Sequence, residues 1–164
     1  GGFFGGDGIT SMHHNSAGTR ISPIEIWESR NPWLVNRIEL AQDSCGAGEF
    51  RGGLGLDIEF EMLEETFVTT VVERTKLPPW GINKGKTARA NNVILKKING
   101  EKINIPKKTS FKINKGEKIT FITGGGGGYG DPKNRKQSSI KNDLKQEYLS
   151  REYVNKHYNF HIKN

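Results

Sequence analysis

Asp43 and Arg51 carry the clearest potential for chemistry in this sequence. They lie in residues 43–53, a stretch with four glycines in eleven residues that predicts a tight, irregular loop. Such a loop can bring the two charges together as a bidentate ion pair, or direct both at a polar substrate. The structural ion pair is the favoured interpretation, and both residues are candidate pocket-lining groups.

Histidines supply the next candidates. His13, His14 and Asn15 follow a glycine-rich opening and are predicted to line a pocket, because two adjacent histidines cannot readily point at one metal ion. Glu25, in the first turn of a predicted helix, is a further pocket candidate. His157 and the histidine four residues later have the spacing of a helical metal pair, but no third ligand type lies nearby. No metal ligand is assigned.

Gly124, Gly125, Gly126, Gly127 and Gly128 form an uninterrupted glycine run. Composition alone would indicate a flexible linker. The run follows a β-branched strand and ends in Tyr-Gly-Asp-Pro, which favours an ordered backbone turn or an anion-binding nest. We expect residues 46–55 and 124–130 to be ordered and to pack near one another.

The surrounding residues argue against function for two other motifs, a near-match to a P-loop and the single cysteine. Residues 81–87 nearly match a nucleotide-binding P-loop, but three residues separate the glycines instead of four, and Pro78-Pro79-Trp80 precedes them in place of a strand. Cys45 is the only cysteine, so no intrachain disulfide can form. Nothing around it indicates an activated thiolate.

The elements that position these residues are mostly strands. Alternation and β-branched runs predict strands near 34–41, 54–63, 66–75, 92–98, 101–105 and 117–122. Asn99-Gly100 predicts a hairpin, and residues 114–117 predict a second one between Phe111–Ile113 and Lys118–Ile122. The fold class is therefore mainly β, antiparallel with glycine-rich loops, plus a short helical C-terminal tail, α+β overall.

Helices are expected only near 23–30 and beyond 138. Ser22 with Pro23, Ser138 or Ser139, and Ser150 are the predicted helix starts. The composition changes after Pro132, which divides the chain into a β-rich part, 1–132, and a helical tail, 133–164. The opening inside a glycine-rich loop, without Met, suggests that the β-rich part is the C-terminal portion of a longer subunit.

The charge pattern favours a solvated surface over a nucleic-acid interface. The net charge of +7 comes from scattered basic residues, including Lys133, Arg135 and Lys136, and aromatic residues are not interleaved among them. No apolar run reaches the roughly 20 residues that span a bilayer. We expect a cytoplasmic protein that binds neither nucleic acid nor membrane.

Four ordered motifs together resemble the hydantoinase B/5-oxoprolinase family. They are Ser-Pro-Ile-Glu-x-x-Glu at 22–28 with Pro32, the glycine-rich 43–55, Pro-Pro-Trp-Gly at 78–81, and 124–132. Their order and spacing match the family across roughly the first 132 residues. Cys45 departs from the pattern, since glycine is commoner there.

The resemblance implies the B-type subunit of an ATP-dependent cyclic amidase, which hydrolyses a small cyclic amide after an A-type partner subunit has phosphorylated it. It also implies a hetero-oligomer, ATP on the A-type subunit, and a divalent metal in the N-terminal part of the B-type subunit. Two alternatives stay open: a subunit of an acetone or acetophenone carboxylase-like complex, and a non-catalytic β-rich assembly module. The exposed seams of such a part should make it prone to aggregate alone.

Overall fold

A computed structural model describes residues 1–11, 22–158 and 160. The predictions for His13, His14, Asn15 and His161 lie outside the described residues. The strands are β1 (Trp33–Leu40), β2 (Leu56–Met62), β3 (Thr66–Val71), β4 (Asn92–Lys96), β5 (Lys102–Asn104), β6 (Lys107–Ile113) and β7 (Lys118–Ile122). The helices are α1 (Ile24–Arg30), α2 (Gln137–Lys145) and α3 (Arg151–His157), with a 3₁₀ turn at Pro132–Asn134.

The strands form two antiparallel sheets. One has five strands in the order β1-β2-β7-β4-β5, and the other pairs β3 with β6. Alternation along β2 places its apolar side chains on one face and its carboxylates on the other. The apolar face meets the smaller sheet in a core built around Met62, Val93, Leu95, Ile113 and Ile119. The predicted fold class is confirmed.

The first predicted hairpin is confirmed and the second is wrong. Gly100 lies at φ +87° and its amide donates to the carbonyl of Lys97 between β4 and β5. By contrast, β6 pairs with β3 while β7 pairs with β2 and β4, so the chain changes sheet at residues 114–117. The Gly116 amide donates to the Met62 carbonyl at 2.7 Å, which ties this turn to the end of β2.

Helix starts follow the sequence signals only in part. Ser150 caps α3, with its Oγ accepting from the Tyr153 amide at 3.0 Å, as predicted. The α1 cap is Pro23 rather than Ser22, and α2 begins at Gln137, so Ser138 and Ser139 lie inside it. No helix among the described residues is long and apolar enough to cross a membrane.

The tail belongs to a second apolar core. Ile140 of α2, Leu149, Val154 of α3 and Tyr158 are all buried there. Their partners come from the glycine-rich stretch: Cys45, Ala47 and Leu54. The helices therefore pack directly on the loop that carries the candidate site residues, and the predicted division at residue 132 falls between parts that share one core.

Candidate functional site

Four irregular segments pack backbone against backbone and form what we call the glycine core: residues 1–8, 44–55, 80–89 and 124–130. Hydrogen bonds between main-chain groups join them pairwise. They include Gly2 N to Gly127 O at 2.8 Å, Gly46 N to Gly126 O at 2.8 Å, Lys86 N to Ala47 O at 2.7 Å, Ile82 N to Gly128 O at 2.9 Å and Gly8 N to Arg51 O at 2.7 Å. The two glycine-rich stretches therefore pack together, as predicted, and residues 124–128 are not a linker.

Close approach explains most glycines of this core, and positive φ angles of +90° and +76° apply at Gly5 and Gly130. A Cβ at Gly52 would lie 1.7 Å from the Gly126 carbonyl oxygen, and one at Gly128 would lie 2.0 Å from that of Ala47. None of residues 124–128 has a positive φ. Any side chain at these two positions would displace main chain.

The anion-nest interpretation does not fit this geometry. A nest needs convergent free amides in a conformation that alternates in hand. Here four of the five amides already have protein acceptors: Gly124 N to Asn91 Oδ1 at 2.5 Å, Gly125 N to Ser44 O at 3.2 Å, Gly126 N to Gly53 O at 2.9 Å, and Gly128 N to Lys86 O at 3.0 Å. The run is an ordered backbone layer instead.

A cleft of about 350 Å³ opens where this layer meets the large sheet. We call it the glycine cleft. Its walls are residues 53–56 and 123–126, together with Gly1, Ile9, Ser11 and Asn91. The Thr123 hydroxyl accepts from the Leu56 amide at 2.6 Å, and the Asn91 side chain bridges Gly124 N and the Glu73 carbonyl.

The described walls can therefore hold and orient a small polar molecule. The hydrogen bonds of Asn91 and Thr123 fix the position of wall residues Gly124 and Leu56, and the glycines expose main chain to a ligand. No described residue of the wall is a charged acid or base. Ser11 immediately precedes the stretch with His13 and His14, whose predicted pocket role stays a prediction.

A buried cluster of two aspartates and two arginines lies on the tail side of the core, and we call it the Asp–Arg cluster. Arg135 bonds Asp7 through both terminal nitrogens, at 2.7 and 2.8 Å, and Asp143 at 2.7 Å. Arg51 Nε bonds Asp143 at 2.9 Å, and the Arg51 amide donates to Asp7 at 2.8 Å. The cluster is electrically balanced.

Burial and charge act against each other in this cluster. Burial alone would raise the pKa of the Asp7 carboxyl, but the hydrogen bonds and charge of Arg135, with help from Arg51, hold that pKa below its usual 3.8. Burial would lower the pKa of Arg135, yet Asp7 and Asp143 raise it. Asp7 and Arg135 are therefore both charged at neutral pH. Nearby, burial raises the pKa of the Cys45 thiol to about 12, so that thiol is protonated.

The predicted ion pair between Asp43 and Arg51 is wrong. Arg51 instead pairs with Asp143, ninety-two positions along the chain, and donates to the Gly52 carbonyl. Asp43 lies at φ +61° and accepts from the Ser150 amide at 2.7 Å, which ties the loop to α3. Neither residue lines the glycine cleft, whereas Arg51 lines a shallower pocket with Asp7, Arg135 and Asp143.

Other expectations also change. Glu25 is exposed on α1 and does not line the glycine cleft. Arg135, expected on the surface, is buried. No local pattern indicates Asp7 or Asp143 as its partners, although Asp131-Pro132 predicts an ordered turn just before Arg135.

A family relationship accounts for the glycine core. The Hydantoinase B/oxoprolinase family matches residues 1–132, which contain all four segments of the core. The chain belongs to the hydantoinase B/oxoprolinase family. This confirms the resemblance inferred from the four motifs.

The relatives of this hydantoinase B/oxoprolinase chain are longer than the part that it matches. It is 38% identical to 5-oxoprolinase of Dictyostelium discoideum over 76% of its length and 10% of the relative's. It is 34% identical to caprolactamase subunit beta of Pseudomonas jessenii over 77% of its length and 23% of the relative's. The chain thus spans only about a tenth to a quarter of these relatives.

Solved structures share the fold. The crystal structure of ATP-dependent caprolactamase from Pseudomonas jessenii superposes with a TM-score of 0.76 at 29% identity, covering 87% of this chain and 25% of that one. An acetone carboxylase structure superposes with a TM-score of 0.74 at 17% identity, covering 93% and 25%. At that identity the second likeness shows the fold alone.

Among residues 1–11, 22–158 and 160, no group of three or more His, Cys, Asp or Glu side chains could hold a metal ion. The most buried carboxylate, Asp143, is taken by Arg51 and Arg135. The described residues therefore do not form a site for a divalent metal ion.

Proposed function

We propose that this chain forms part of the B-type subunit of an ATP-dependent cyclic amidase of the hydantoinase/5-oxoprolinase type. The observation that carries the proposal is the glycine core, which lies wholly within the family match; the similar fold of caprolactamase supports it. In the proposed reaction, an A-type partner phosphorylates a small cyclic amide with ATP, and the B-type subunit completes the hydrolysis in the cytoplasm.

The role of the present residues in that reaction is binding and orientation. A cyclic amide is small, and its planar amide group offers one N–H donor and one carbonyl acceptor, which suits a cleft of about 350 Å³ walled largely by main chain. Gly53, Gly55 and Gly124–Gly126 leave the wall without side chains, so the ring can lie close to peptide groups. Acid–base groups and any metal would come from outside the described residues.

An uncovered apolar strip supports packing against further protein. Ile38 and Leu40 of β1 lie opposite Ile58 and Leu56 of β2, on the face that forms the sandwich core elsewhere. Ile38 is 37% exposed and Leu40 is 43% exposed. The strip leads to an apolar cavity of about 240 Å³ beside Trp33 and Phe60.

We assign this strip to the remainder of a B-type polypeptide, which makes up most of the length of the relatives. Patches of this kind mark interaction surfaces in soluble proteins. The hetero-oligomer with an A-type subunit belongs to the same proposal. Replacing Ile38 and Leu40 with Ser should reduce self-association of the chain in light scattering. Unchanged self-association would argue against the strip as a contact surface.

Assaying the complete B-type subunit with its A-type partner tests the function. We expect ATP hydrolysis coupled to ring opening on 5-oxoproline, a hydantoin or caprolactam, without a requirement for bicarbonate. A Gly126→Ala variant should raise KM for the amide if the cleft binds it, whereas a Gly100→Ala variant in the distant hairpin should not. If both variants fold normally and neither changes KM for the amide, the amide binds outside the glycine cleft.

The rivals have their own outcomes in the same assay. ATP hydrolysis that depends on bicarbonate and a ketone would indicate the carboxylase branch, whose shared fold is seen in acetone carboxylase. Absence of any ATP-coupled turnover, with a stable complex formed, would indicate an assembly module.

A further inference from the structure

The tail beyond residue 132 contacts the N-terminal segment, residues 1–11, although the two are far apart in the sequence. Arg135 donates to both carboxylate oxygens of Asp7 and to the Glu49 carbonyl at 3.1 Å. The carboxylate of Asp143 in α2 accepts hydrogen bonds from both Arg135 and Arg51. The family match ends at residue 132, so it assigns no role to these tail residues.

The N-terminal segment forms part of the glycine cleft. Gly1, Ile9 and Ser11 line it, on either side of Asp7. Main-chain bonds from Gly2 and Gly8 attach the segment to the core, and its only charged side chain, Asp7, is held by Arg135 and by the Arg51 amide. Releasing Arg135 would therefore loosen this wall.

We propose that residues 133–158 form a latch: the Asp–Arg cluster couples docking of the tail to the position of residues 1–11 and so to one wall of the glycine cleft. Arg135 is the positioning residue of the latch. It contacts the N-terminal segment, the glycine-rich loop and α2 at once, and its side chain is 2% exposed. An ion pair between exposed groups would be too weak to hold the segment. Removing one partner of a buried ion pair, however, strongly destabilises the protein, because the other charge stays buried without a partner.

Charge balance distinguishes the latch from simple packing. Arg135→Gln leaves two aspartates facing Arg51 alone, and Asp7→Asn leaves two arginines facing Asp143 alone. The double variant Asp7→Asn with Arg135→Gln leaves Arg51 and Asp143 as a balanced pair, while the two amides can still bond each other. The double variant should therefore be less perturbed than Arg135→Gln.

Amide hydrogen exchange by NMR tests the latch at three places. The Gly8 amide, which donates to Arg51 O, reports on the N-terminal segment; the Val154 amide reports on α3; and the Ile105 amide, which donates to Val93 O, reports on the sandwich. In Arg135→Gln we expect at least tenfold faster exchange at Gly8 and unchanged exchange at Ile105. The double variant should recover most of the protection, and Lys133→Gln, which removes an exposed charge nearby, should match the native chain.

Three results would overturn the proposal. Unchanged protection at Gly8 in Arg135→Gln would show that the tail does not hold the segment. Equal acceleration at Gly8, Val154 and Ile105 would show global destabilisation instead of a latch. A double variant as perturbed as Arg135→Gln would show that the charges are not coupled. If Arg135→Gln does not fold, Asp7→Asn, at the more exposed end of the cluster, carries the same three comparisons.

Discussion

The β-sandwich and the glycine core are two solutions to packing within one chain. In the sandwich, large side chains such as Met62 and Ile119 fill the space between the sheets. In the glycine core, main-chain segments touch directly, and Gly52, Gly127 and Gly128 leave no room for even one methyl group. Side chains can repack around a change in volume, but peptide groups tied by hydrogen bonds cannot.

The largest expected effect is therefore the addition of one methyl group. Gly128→Ala would place Cβ 2.0 Å from the Ala47 carbonyl oxygen, inside the bonded layer. We expect it to lower the free energy of unfolding by about 3 kcal/mol or more, at the upper end of overpacking effects. Urea unfolding followed by circular dichroism measures this.

Gly126 and Gly100 provide graded controls for that substitution. A Cβ at Gly126 would lie 2.7 Å from Gly1 Cα, a less severe overlap than the 2.0 Å at Gly128, so Gly126→Ala should cost less than Gly128→Ala. Gly100 has open space but a φ of +87°, so Gly100→Ala should cost about 1 kcal/mol from strain alone. Equal costs at all three positions would remove the distinction between crowded and strained glycines.

Removal of one methyl group from the sandwich should lower the free energy of unfolding less than Gly128→Ala does. Ile119→Val deletes a single methyl from a side chain that is 2% exposed, and we expect a loss of about 1 kcal/mol. The same urea titration compares it with Gly128→Ala. A cost for Ile119→Val above that for Gly128→Ala would contradict the view that the backbone layer is the less adaptable of the two cores.

Acid should weaken the glycine core through Asp7. Because the pKa of Asp7 is lowered in the folded state, its stabilising contribution is complete above the unfolded value near 3.8 and is lost as the pH falls through the lower folded value. The melting temperature of Asp7→Asn should therefore fall less between pH 4 and pH 2 than that of the native chain. Parallel curves for the two proteins would be inconsistent with this account.

The smallest effect concerns Cys45, which should be inert in the folded chain. Its thiol is 1% exposed and its pKa is raised to about 12, so almost no thiolate exists at pH 8. A thiol-specific disulfide reagent should react only after addition of denaturant. Rapid reaction in native buffer would indicate that the core near residue 45 opens readily.

Local patterns were sufficient for most of the sandwich. Alternation along Leu56–Met62 gave β2 to within two residues, and Asn99-Gly100 gave the β4–β5 hairpin. The turn at residues 114–117 was recognised, but not the fact that β6 leaves to pair with β3. Turn residues determine that the chain reverses, whereas the sheet that receives each strand depends on burial of distant faces.

The site was predictable where it depends on glycine and not where it depends on charge. Dense glycine beside strong strands correctly indicated that residues 46–55 and 124–130 pack together. The choice of Asp43 as the partner of Arg51 relied on proximity in the sequence, whereas Asp143 reaches Arg51 only through the docked tail. Pairings of this range leave no local signal, and Arg135 looked like one more surface cation.

The backbone-packed layer also has a calorimetric consequence. Burial of apolar surface makes the heat capacity of unfolding large, whereas burial of peptide groups reduces it. An average chain of 164 residues would show about 2 kcal/mol/K. This chain devotes four segments to peptide contacts, so its heat capacity of unfolding should be smaller and its stability should vary less steeply with temperature, on the cold side as well as the hot.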